Sequence, residues 1–279
     1  MVEQRQGRFL VSTLFDQRDR HVFVAGGTSG INLAIAAAFG RAGAKLSLLG
    51  RNADRGQSAV ATVEAGGAQA RFFSADVRQS EAVSAAFAQA QAAHGPIDVL
   101  ISGAAGNFPA PVLGMSERAF RSVIDIDLIG SFNVARFGHA HLRAPGAVVL
   151  MISAPQALLP SMLQAHVAAA KAGVDMLMRS LCLEWGPQGI RLNSIIPGPI
   201  ADTEGFRRLA PTAQTAEAVE RSVPLRRVGT GEDVANLALF LASPYASYIH
   251  GAVIPVDGGW LNGGYSVAAE AILTAFMGK

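Results

Sequence analysis

The feature of this sequence that most constrains its fold is the regular alternation of short apolar runs with longer alanine-rich runs. "HVFVAG" (21–26) precedes an alanine-rich segment at 31–43, and "AKLSLLG" (44–50) precedes another at 53–67. Further apolar runs lie at 70–77, 97–103, 146–153, 190–198 and 251–259, with helix-like segments at 81–95, 116–142 and 161–186. Strands that are apolar throughout are buried on both faces, and their alternation with helices is typical of parallel sheets. The pattern predicts an α/β fold, a doubly wound parallel sheet of about seven strands.

No repeat, linker or low-complexity tract interrupts this pattern, which predicts a single domain over residues 1–279. Hydrophobic residues make up 50% of the chain and charged residues only 16%, a balance that favours a folded globule over a disordered chain. The net charge is +2, and no block of lysine and arginine occurs. Nucleic acid is therefore not an expected partner.

The single cysteine, Cys182, cannot form an internal disulfide or a cysteine metal cluster, which makes a reducing cytoplasm the expected location. The segment at 1–20 is charged and has no long apolar run, so it does not resemble a signal peptide. No stretch reaches the roughly 18–20 apolar residues that a membrane span requires. We expect a cytoplasmic protein without a membrane segment or a metal site.

A glycine-rich turn follows the first predicted strand and opens the first predicted helix. In "AGGTSGIN" (25–32), Gly26 and Gly30 permit a tight turn and a close approach of the backbone to a pyrophosphate. The amino terminus of the helix would face the negative charge. The candidate pyrophosphate-binding residues are Gly26, Thr28, Ser29, Gly30 and Ile31. Ordinary βα turns share this pattern, but its position after the first strand favours a dinucleotide site.

The end of the second strand favours one form of the dinucleotide. An acidic residue there would accept the ribose hydroxyls of NAD, whereas an arginine suits the 2′-phosphate of NADP. The segment "LLGRNADR" carries Arg51 and has no carboxylate at the strand tip. We therefore predict NADP(H), with a solvated arginine at a helix start as the alternative. Asp76 and "SGAAGNF" (102–108) end the next two strands, and they border the adenine and ribose or serve only as loop caps.

Further motifs are distributed along the chain: Asp76-Val77, Ala104-Ala105-Gly106, Lys171, "IRLNSIIPGPI" (190–200) and "VDGG" (256–259). Together with Gly26-x-x-x-Gly30-Ile31, they resemble the short-chain dehydrogenase/reductase family over roughly residues 20–262. The resemblance implies a Rossmann-type, doubly wound, seven-stranded parallel sheet with helices on both faces, a nicotinamide cofactor and a homotetramer. It also implies that Lys171 holds the nicotinamide ribose. The other cofactor contacts implied are Asp76, Val77, Ala104, Pro197, Gly198, Ile200 and Thr203.

The typical catalytic tetrad of that family is Asn, Ser, Tyr and Lys, and this sequence keeps only the lysine. The other three positions, counted from Lys171, hold Asp127, Ala154 and Val167. Ser153 is one residue out of register and should point elsewhere on an alternating strand. Asn32 replaces the last glycine of the turn motif, which leaves the closeness of helix–sheet packing open.

Longer stretches carry a closer resemblance: "AAGNF" (104–108), 125–136, 166–194, 197–209 and 241–253. They are similar to the peroxisomal-type 2,4-dienoyl-CoA reductases, a branch of the family that also lacks the tyrosine. The resemblance implies NADPH-dependent reduction of a 2,4-dienoyl-CoA or a related enoyl thioester. In that reaction hydride adds at C5 and a proton at C2, so the negative charge spreads along a dienolate. A positioned water can supply the proton, and no phenol is needed beside the carbonyl.

Two aspartates, Asp127 and Asp175, stand where that branch also has aspartate. Asp127 is the candidate for holding the water, and a water-mediated bridge between helices is its alternative role. Asp175 lies one helical turn after Lys171 and either orients its ammonium or forms only an exposed ion pair. His166 precedes the vacant tyrosine position; a polar surface residue is a more ordinary interpretation than a general acid. The predicted catalytic residues are Asp127, Lys171 and Asp175.

The phosphates of a CoA thioester require cationic groups around the pocket. Arg78, Arg207 and Arg208 are the candidates, and for each of them a solvated helix face is the alternative. Phe108 is a candidate contact for the acyl chain, or else a core residue.

Three functions remain open at this point. The leading prediction is an NADPH-dependent dienoyl or enoyl thioester reductase. A carbonyl reductase that protonates its alkoxide through water is the second, and a catalytically inactive NADP(H)-binding pseudoenzyme is the third. The pair Asp127 and Asp175 favours the first, because a decayed binding module has no reason to keep both carboxylates.

Overall fold

The computed structural model describes residues 15–277 and contains a seven-stranded sheet. Its strands are β1 His21–Ala25, β2 Lys45–Gly50, β3 Gln69–Ser74, β4 Val99–Ser102, β5 Val148–Ile152, β6 Arg191–Pro197 and β7 Val253–Val256. They lie in the order β3-β2-β1-β4-β5-β6-β7, and every neighbouring pair is parallel. The predicted parallel sheet is confirmed. Most of the charged segment at 1–20 lies outside the described residues.

The helices of this part of the chain follow the strands. They are α1 Gly30–Arg41, α2 Ala53–Glu64, α3 Ser80–His94, α4 Glu117–Ile124, α5 Gly130–Gly138, α6 Ala165–Trp185, α7 Glu204–Leu209, α8 Ala213–Ser222, α9 Gly231–Ala242 and α10 Gly264–Met277. Within residues 15–277, no helix is both long and apolar enough to span a membrane.

Two of the predicted helical segments differ in detail from the structure. The segment at 116–142 is divided by a π-helical turn, Asp125–Ile129, between α4 and α5. The segment at 161–186 becomes helical only at Ala165. The backbone before Ala165 explains the later start. Leu163 has a φ of 64°, which lies outside the α-helical region, and its carbonyl accepts a hydrogen bond from the backbone N–H of Ala110.

Two hydrophobic clusters cover the two faces of the sheet. β1 shows how the strands divide between them, since Val22 and Val24 belong to one cluster and Phe23 and Ala25 to the other. The first cluster includes side chains of α1, α2 and α9, and the second includes side chains of α3, α5 and α6. The sheet is therefore covered by helices on both sides, and ligands can reach it only at the ends of its strands.

At the edge where the strands begin, buried polar groups are paired with one another. The backbone N–H of His21 donates to Asp98 Oδ2 (2.8 Å), and its ring nitrogens lie 2.8 Å from the carbonyl of Gly95 and 2.8 Å from Ser47 Oγ. Arg143 Nε donates to the other oxygen of Asp98 (2.6 Å). Burial lowers the pKa of His21 to about 4, so its ring is neutral near pH 7.

Candidate active site

The carboxyl ends of β1, β4, β5 and β6 border an open cavity of about 630 Å³. The predicted residues that line it are Gly30, Ile31, Arg51, Phe108, Asp127, Lys171, Pro197, Gly198, Ile200, Thr203 and Arg208. The predicted residues that do not line it are Gly26, Thr28, Ser29, Asp76, Arg78, Val77, Ala104, Asp175 and Arg207. The structure thus brings predicted cofactor, catalytic and substrate residues to one cavity.

The glycine-rich turn fixes the distance between β1 and β4. Gly26 has a φ of +81°, and a Cβ at this position would lie 2.8 Å from the backbone of Ala104. Asn32 reaches across the same gap and donates from Nδ2 to the carbonyl of Gly103 (2.7 Å). A Cβ on Gly103 would lie 2.2 Å from Asn32 Oδ1. The replacement of the motif's last glycine therefore does not loosen the packing of α1 against the sheet.

The amino terminus of α1 opens onto the cavity. The cap residue Ser29 makes no side-chain hydrogen bond to the helix, and Gly30, Ile31 and Asn32 all line the cavity. The first backbone N–H groups of a helix have no intrahelical acceptor and carry partial positive charge. Because no side chain caps them here, they are available to an anionic ligand such as a pyrophosphate.

Two arginines line the cavity beside this helix. The side chain of Arg51 is 61% exposed, and its Nη1 lies 4.0 Å from Asp76 Oδ2. Arg55, four residues later, also lines the cavity and was not predicted, although its spacing from Arg51 could have indicated it. Arg78 instead binds Asp76, with Nη2 2.6 Å from Oδ2, and this contact lowers the pKa of Asp76. Arg51 and Arg55 are the cations that face the cavity at this end.

A buried ion pair lies at the other end of the cavity. Lys171 Nζ donates to the carbonyl of Ile152 (2.9 Å) and lies 3.3 Å from Asp127 Oδ2. Asp127 Oδ1 accepts from the backbone N–H of Gly106 (2.7 Å). Asp127 belongs to the π-helical turn and is 1% exposed. A buried charge is tolerable when it is paired and hydrogen-bonded, as both members are here.

An aliphatic side chain occupies the position of the family's tyrosine. Val167 lines the cavity, is buried, and packs with Val123 and Ala170. The tyrosines of the chain, Tyr245, Tyr248 and Tyr265, do not line the cavity. Tyr245 and Tyr248 are exposed, and Tyr265 packs against Trp260. No phenol therefore faces the described cavity beside Lys171.

Asp175 lies behind the cavity wall. It is 4% exposed, and its Oδ2 accepts from Ser153 Oγ (2.9 Å) while Oδ1 has no hydrogen-bond partner. Burial raises the pKa of Asp175, and the hydroxyls of Ser194 and Ser153 oppose that rise. The alternative of an exposed ion pair is wrong, because this face of α6 packs on the sheet. Ser153 directly follows Ile152, so Asp175 holds the strand end whose carbonyl binds Lys171.

His166 is fully buried, so its interpretation as a surface residue is wrong. Its ring packs on Phe108, with 4.5 Å between the ring centroids, and on Phe120 at 6.5 Å. Both ring nitrogens lack hydrogen-bond partners, and burial lowers the pKa of the imidazole. α4 and the loop before it cover the start of α6, and this contact between distant segments buries a residue next to Val167.

The candidate substrate residues separate into two groups. Phe108 and Arg208 line the cavity, and Arg208 contacts the carbonyl of Asn107 and the carboxylate of Glu204. Arg207 points to the carbonyl of Asp202 (3.3 Å) and does not line the cavity. Lining residues that the sequence did not indicate include Gln156, Phe206 and Trp260. Of these, only Gln156 has a local signal, because it follows the end of β5 by four residues.

The model of a protein family described as Enoyl-(Acyl carrier protein) reductase matches residues 25–261. The chain belongs to the short-chain dehydrogenase/reductase family. A short-chain dehydrogenase/reductase of this kind is an oxidoreductase, and the family binds a nicotinamide cofactor.

Curated relatives place the chain in the 2,4-dienoyl-CoA reductase-like branch of the family. A Rattus norvegicus protein named peroxisomal 2,4-dienoyl-CoA reductase, (3E)-enoyl-CoA-producing, is 43% identical over 247 residues, which cover 88% of this chain and 85% of the relative. A Bacillus subtilis protein named "Probable 2,4-dienoyl-CoA reductase, (2E)-enoyl-CoA-producing" is 38% identical over 245 residues, which cover 86% of this chain and 96% of the relative.

Solved structures of the short-chain dehydrogenase/reductase family share the fold. A dehydrogenase/reductase from Sinorhizobium meliloti is 30% identical with a TM-score of 0.83, covering 89% of this chain and 98% of its own. A 7α-hydroxysteroid dehydrogenase in complex with NADH and 7-oxo glycochenodeoxycholic acid is 28% identical with a TM-score of 0.84, covering 89% of this chain and 96% of its own.

Proposed function

We propose that this chain is an NADPH-dependent reductase of 2,4-dienoyl-CoA thioesters. The observation that carries the proposal is the buried pair Asp127–Lys171 beside Val167, where a carbonyl reductase of this family would present a phenol. A reaction that ends with protonation on carbon does not need that phenol. The name of the rat relative supports the same activity.

The residues at the carboxyl edge of the sheet fit a nicotinamide dinucleotide. The uncapped terminus of α1 suits the pyrophosphate, and Lys171 suits the nicotinamide ribose. Arg51 and Arg55 line the cavity where a 2′-phosphate would lie, which supports NADP(H) over NAD(H). When bound in its reduced form, this cofactor supplies the hydride.

The electron flow of the proposed reaction explains what Asp127 and Lys171 do. Hydride adds at C5 of the dienoyl chain, and the electron pair of the C4–C5 double bond moves toward the thioester oxygen. A water then gives its proton to C2, which leaves a 3-enoyl thioester. Asp127 Oδ2, which accepts no hydrogen bond in the structure, orients that water, and the Lys171 ammonium stabilises the hydroxide that forms. Solvent restores the proton.

The test is NADPH consumption, followed by absorbance, with three substrates in parallel: 2,4-hexadienoyl-CoA, a 2-enoyl-CoA and a 3-oxoacyl-CoA. We expect turnover of the dienoyl thioester and a 3-enoyl product, identified by chromatography. Preferred turnover of the 3-oxo compound would replace the proposal with a carbonyl reductase. NADPH binding without turnover of any of the three would replace it with a cofactor-binding pseudoenzyme.

The positions of Phe108 and Arg208 support a CoA thioester as the substrate. Phe108 gives the cavity an apolar wall for the acyl chain, and Arg208 gives it a cation for the CoA phosphates. Arg78 is engaged by Asp76 and would have to exchange that partner for a phosphate. Arg207 remains a proposed contact of the same kind.

We further propose that the chain forms a homotetramer. Phe132 on α5 and Met176 and Leu183 on α6 are large apolar side chains that are exposed in the isolated chain. A second copy packed on these helices would bury them. Light scattering should give four times the chain mass, and the double variant Met176→Glu, Leu183→Glu should give a smaller one; a wild-type monomer would refute the assembly.

A cytoplasmic location also stays a proposal. It rests on the single cysteine, whereas the rat relative is named peroxisomal. Fluorescence microscopy of the tagged full chain in its own cell would decide between the two.

A further inference from the structure

Without a phenol at position 167, the thioester oxygen of the proposed substrate needs another hydrogen-bond donor. In conjugate reduction, negative charge develops on this oxygen before a proton reaches C2, and a hydrogen-bond donor aimed at it lowers the barrier. Lys171 and Asp127 are engaged with each other, and Val167 has no donor. We therefore expect another group of the cavity wall to donate a hydrogen bond to this oxygen.

The hydroxyl groups of the cavity wall already donate hydrogen bonds within the protein. Each donates to a protein acceptor: Ser122 to the carbonyl of Ala119 (2.7 Å), Ser153 to Asp175 (2.9 Å) and Thr203 to the carbonyl of Ile200 (2.8 Å). The amide of Asn32 is committed as well, because it donates to the carbonyl of Gly103 (2.7 Å). A donor for the substrate has to be found elsewhere on the wall.

Gln156 is the buried lining residue whose amide is not committed. Its side chain lines the cavity and is 8% exposed, and it hydrogen-bonds no other residue in the described part of the chain. It lies in the 3₁₀ turn Pro155–Ala157, two residues after Ala154, which stands at the family's serine position. Its amide is accessible from the open cavity, where a ligand or a water can serve as its hydrogen-bond partner.

Asn107 is the competing amide on the wall. Its Nδ2 donates to no other residue in the described part of the chain, but Asn107 is only half-buried, whereas Gln156 is buried. Gln156 also follows β5 on the same segment as Ala154, which stands where the typical family member has its serine hydroxyl. These two observations favour Gln156 over Asn107.

We infer that Gln156 is a catalytic residue that donates a side-chain N–H to the thioester carbonyl oxygen, in the role that the absent phenol would have had. The inference rests on the proposed dienoyl thioester reduction. Hydride moves from the reduced cofactor to C5, the electron pair reaches the thioester oxygen, and Gln156 stabilises it without giving up a proton. The proton for C2 comes from water, and the amide is unchanged at the end of the cycle.

The first test compares Gln156→Met with wild type on 2,4-hexadienoyl-CoA. Methionine has a similar length and no donor. We expect kcat to fall by about 100-fold, as for removal of one donor from an oxyanion site, with KM for NADPH within about twofold of wild type. Leu158→Met, an exposed position on the same loop, is the matched control and should keep wild-type kcat.

The second test detects the hydrogen bond to the thioester carbonyl directly. Hexadienoyl-CoA labelled with ¹³C at C1 is bound with the oxidised cofactor, so that no turnover occurs, and the carbonyl stretch is recorded by difference infrared spectroscopy. Wild type should lower the stretching frequency relative to free thioester, and Gln156→Met should restore it. A change in folding alone would alter the amount bound rather than the frequency.

The outcomes separate this inference from the proposed function. Wild-type turnover of the dienoyl thioester with unchanged kcat in Gln156→Met overturns the inference and leaves the proposed function standing. Loss of the frequency shift in Asn107→Leu but not in Gln156→Met also overturns it, in favour of Asn107. Absence of wild-type turnover removes the proposed function first and this inference with it.

Discussion

The two edges of the sheet differ in how far their buried polar groups are hydrogen-bonded. At the edge where the strands begin, His21, Asp98, Ser47 and Arg143 use their polar atoms on one another, and His94 Nε2, beside the His21 ring, is a buried atom without a hydrogen bond. Where the strands end, more polar atoms are buried without hydrogen bonds. They include Asp127 Oδ2, Asp175 Oδ1, Asn107 Oδ1, Asn32 Oδ1 and both ring nitrogens of His166.

Unpaired buried groups destabilise the fold, so their concentration at one edge needs a cause. The same edge carries the cavity, the uncapped terminus of α1 and the Asp127–Lys171 pair. We interpret the starting edge as the one that stabilises the domain, and the ending edge as the one whose polar groups are kept for ligands. Changes at the starting edge should therefore alter stability, whereas changes at the ending edge should alter turnover or binding.

The largest expected effect is the loss of stability at the starting edge in acid. The pKa of His21 is about 4 in the folded chain, below the ordinary value of about 6.5 in the unfolded chain. Between these two values the unfolded state binds more protons at His21, so the His21 contribution to stability falls as the pH decreases from about 6.5 to about 4 and does not change outside this window. The loss is about 3 kcal/mol, because each pH unit of the shift corresponds to about 1.4 kcal/mol.

Urea denaturation at a series of pH values measures this effect. His139→Gln, a change at a histidine whose ring contacts the exposed Gln188, is the control and should keep the same pH dependence. A free energy of unfolding that stays level from pH 6.5 to pH 4 would contradict the role given to His21.

The next effect is on turnover at the ending edge. Asp127→Asn keeps an oxygen for the N–H of Gly106 but removes the charge that faces Lys171 and that orients the water in the proposed mechanism. We expect kcat for the dienoyl thioester to fall at least about tenfold while the affinity for NADPH, measured by fluorescence titration, is unchanged. Asp125→Asn, two residues earlier, is the matched control. Wild-type turnover in Asp127→Asn would remove this carboxylate from the mechanism.

A smaller effect is expected on the choice of cofactor. Arg51→Asp places a negative charge where we put the 2′-phosphate, so the ratio of kcat/KM for NADPH over NADH should fall by about fivefold or more. Arg71→Asp, at an exposed arginine on the edge strand β3, should leave the ratio as it is. An unaltered ratio in Arg51→Asp would mean that this arginine does not contact the phosphate.

The smallest effect is expected from restoring the phenol. Val167→Tyr should bring no gain in dienoyl reduction, because in the proposed reaction the proton goes to carbon from water, and the site around Val123 and Ala170 is already packed. Val167→Phe controls for the added volume. A clear gain with Val167→Tyr, but not with Val167→Phe, would identify the site as a damaged carbonyl reductase.

Most of the fold could be predicted from the sequence because its signals are local. Apolar strands such as 97–103 show their burial on both faces directly, and Gly26 marks a backbone geometry that other residues rarely adopt. Asp127 and Lys171 could be named through the spacing of a family motif. Their mutual distance could not, since it depends on how the π-helical turn and α6 pack.

The features that were missed depend on contacts between distant segments. The burial of His166 follows from Phe108 and Phe120, which come from other parts of the chain. The bond between Ser153 and Asp175 joins a strand end to a helix. Gln156 has an ordinary sequence environment, and only the assembled cavity shows that its amide is free.

The π-helical turn Asp125–Ile129 has a consequence for the history of such a site. A π-helical turn holds one residue more than an α-helical turn, and one residue corresponds to about 100° of rotation around the helix axis. Deletion of one codon in this stretch would regularise the helix and rotate the carboxylate away from Gly106 and Lys171. A lineage could thus lose or regain this arrangement of carboxylate and ammonium through a single small insertion or deletion, with the sequences of both flanking helices intact.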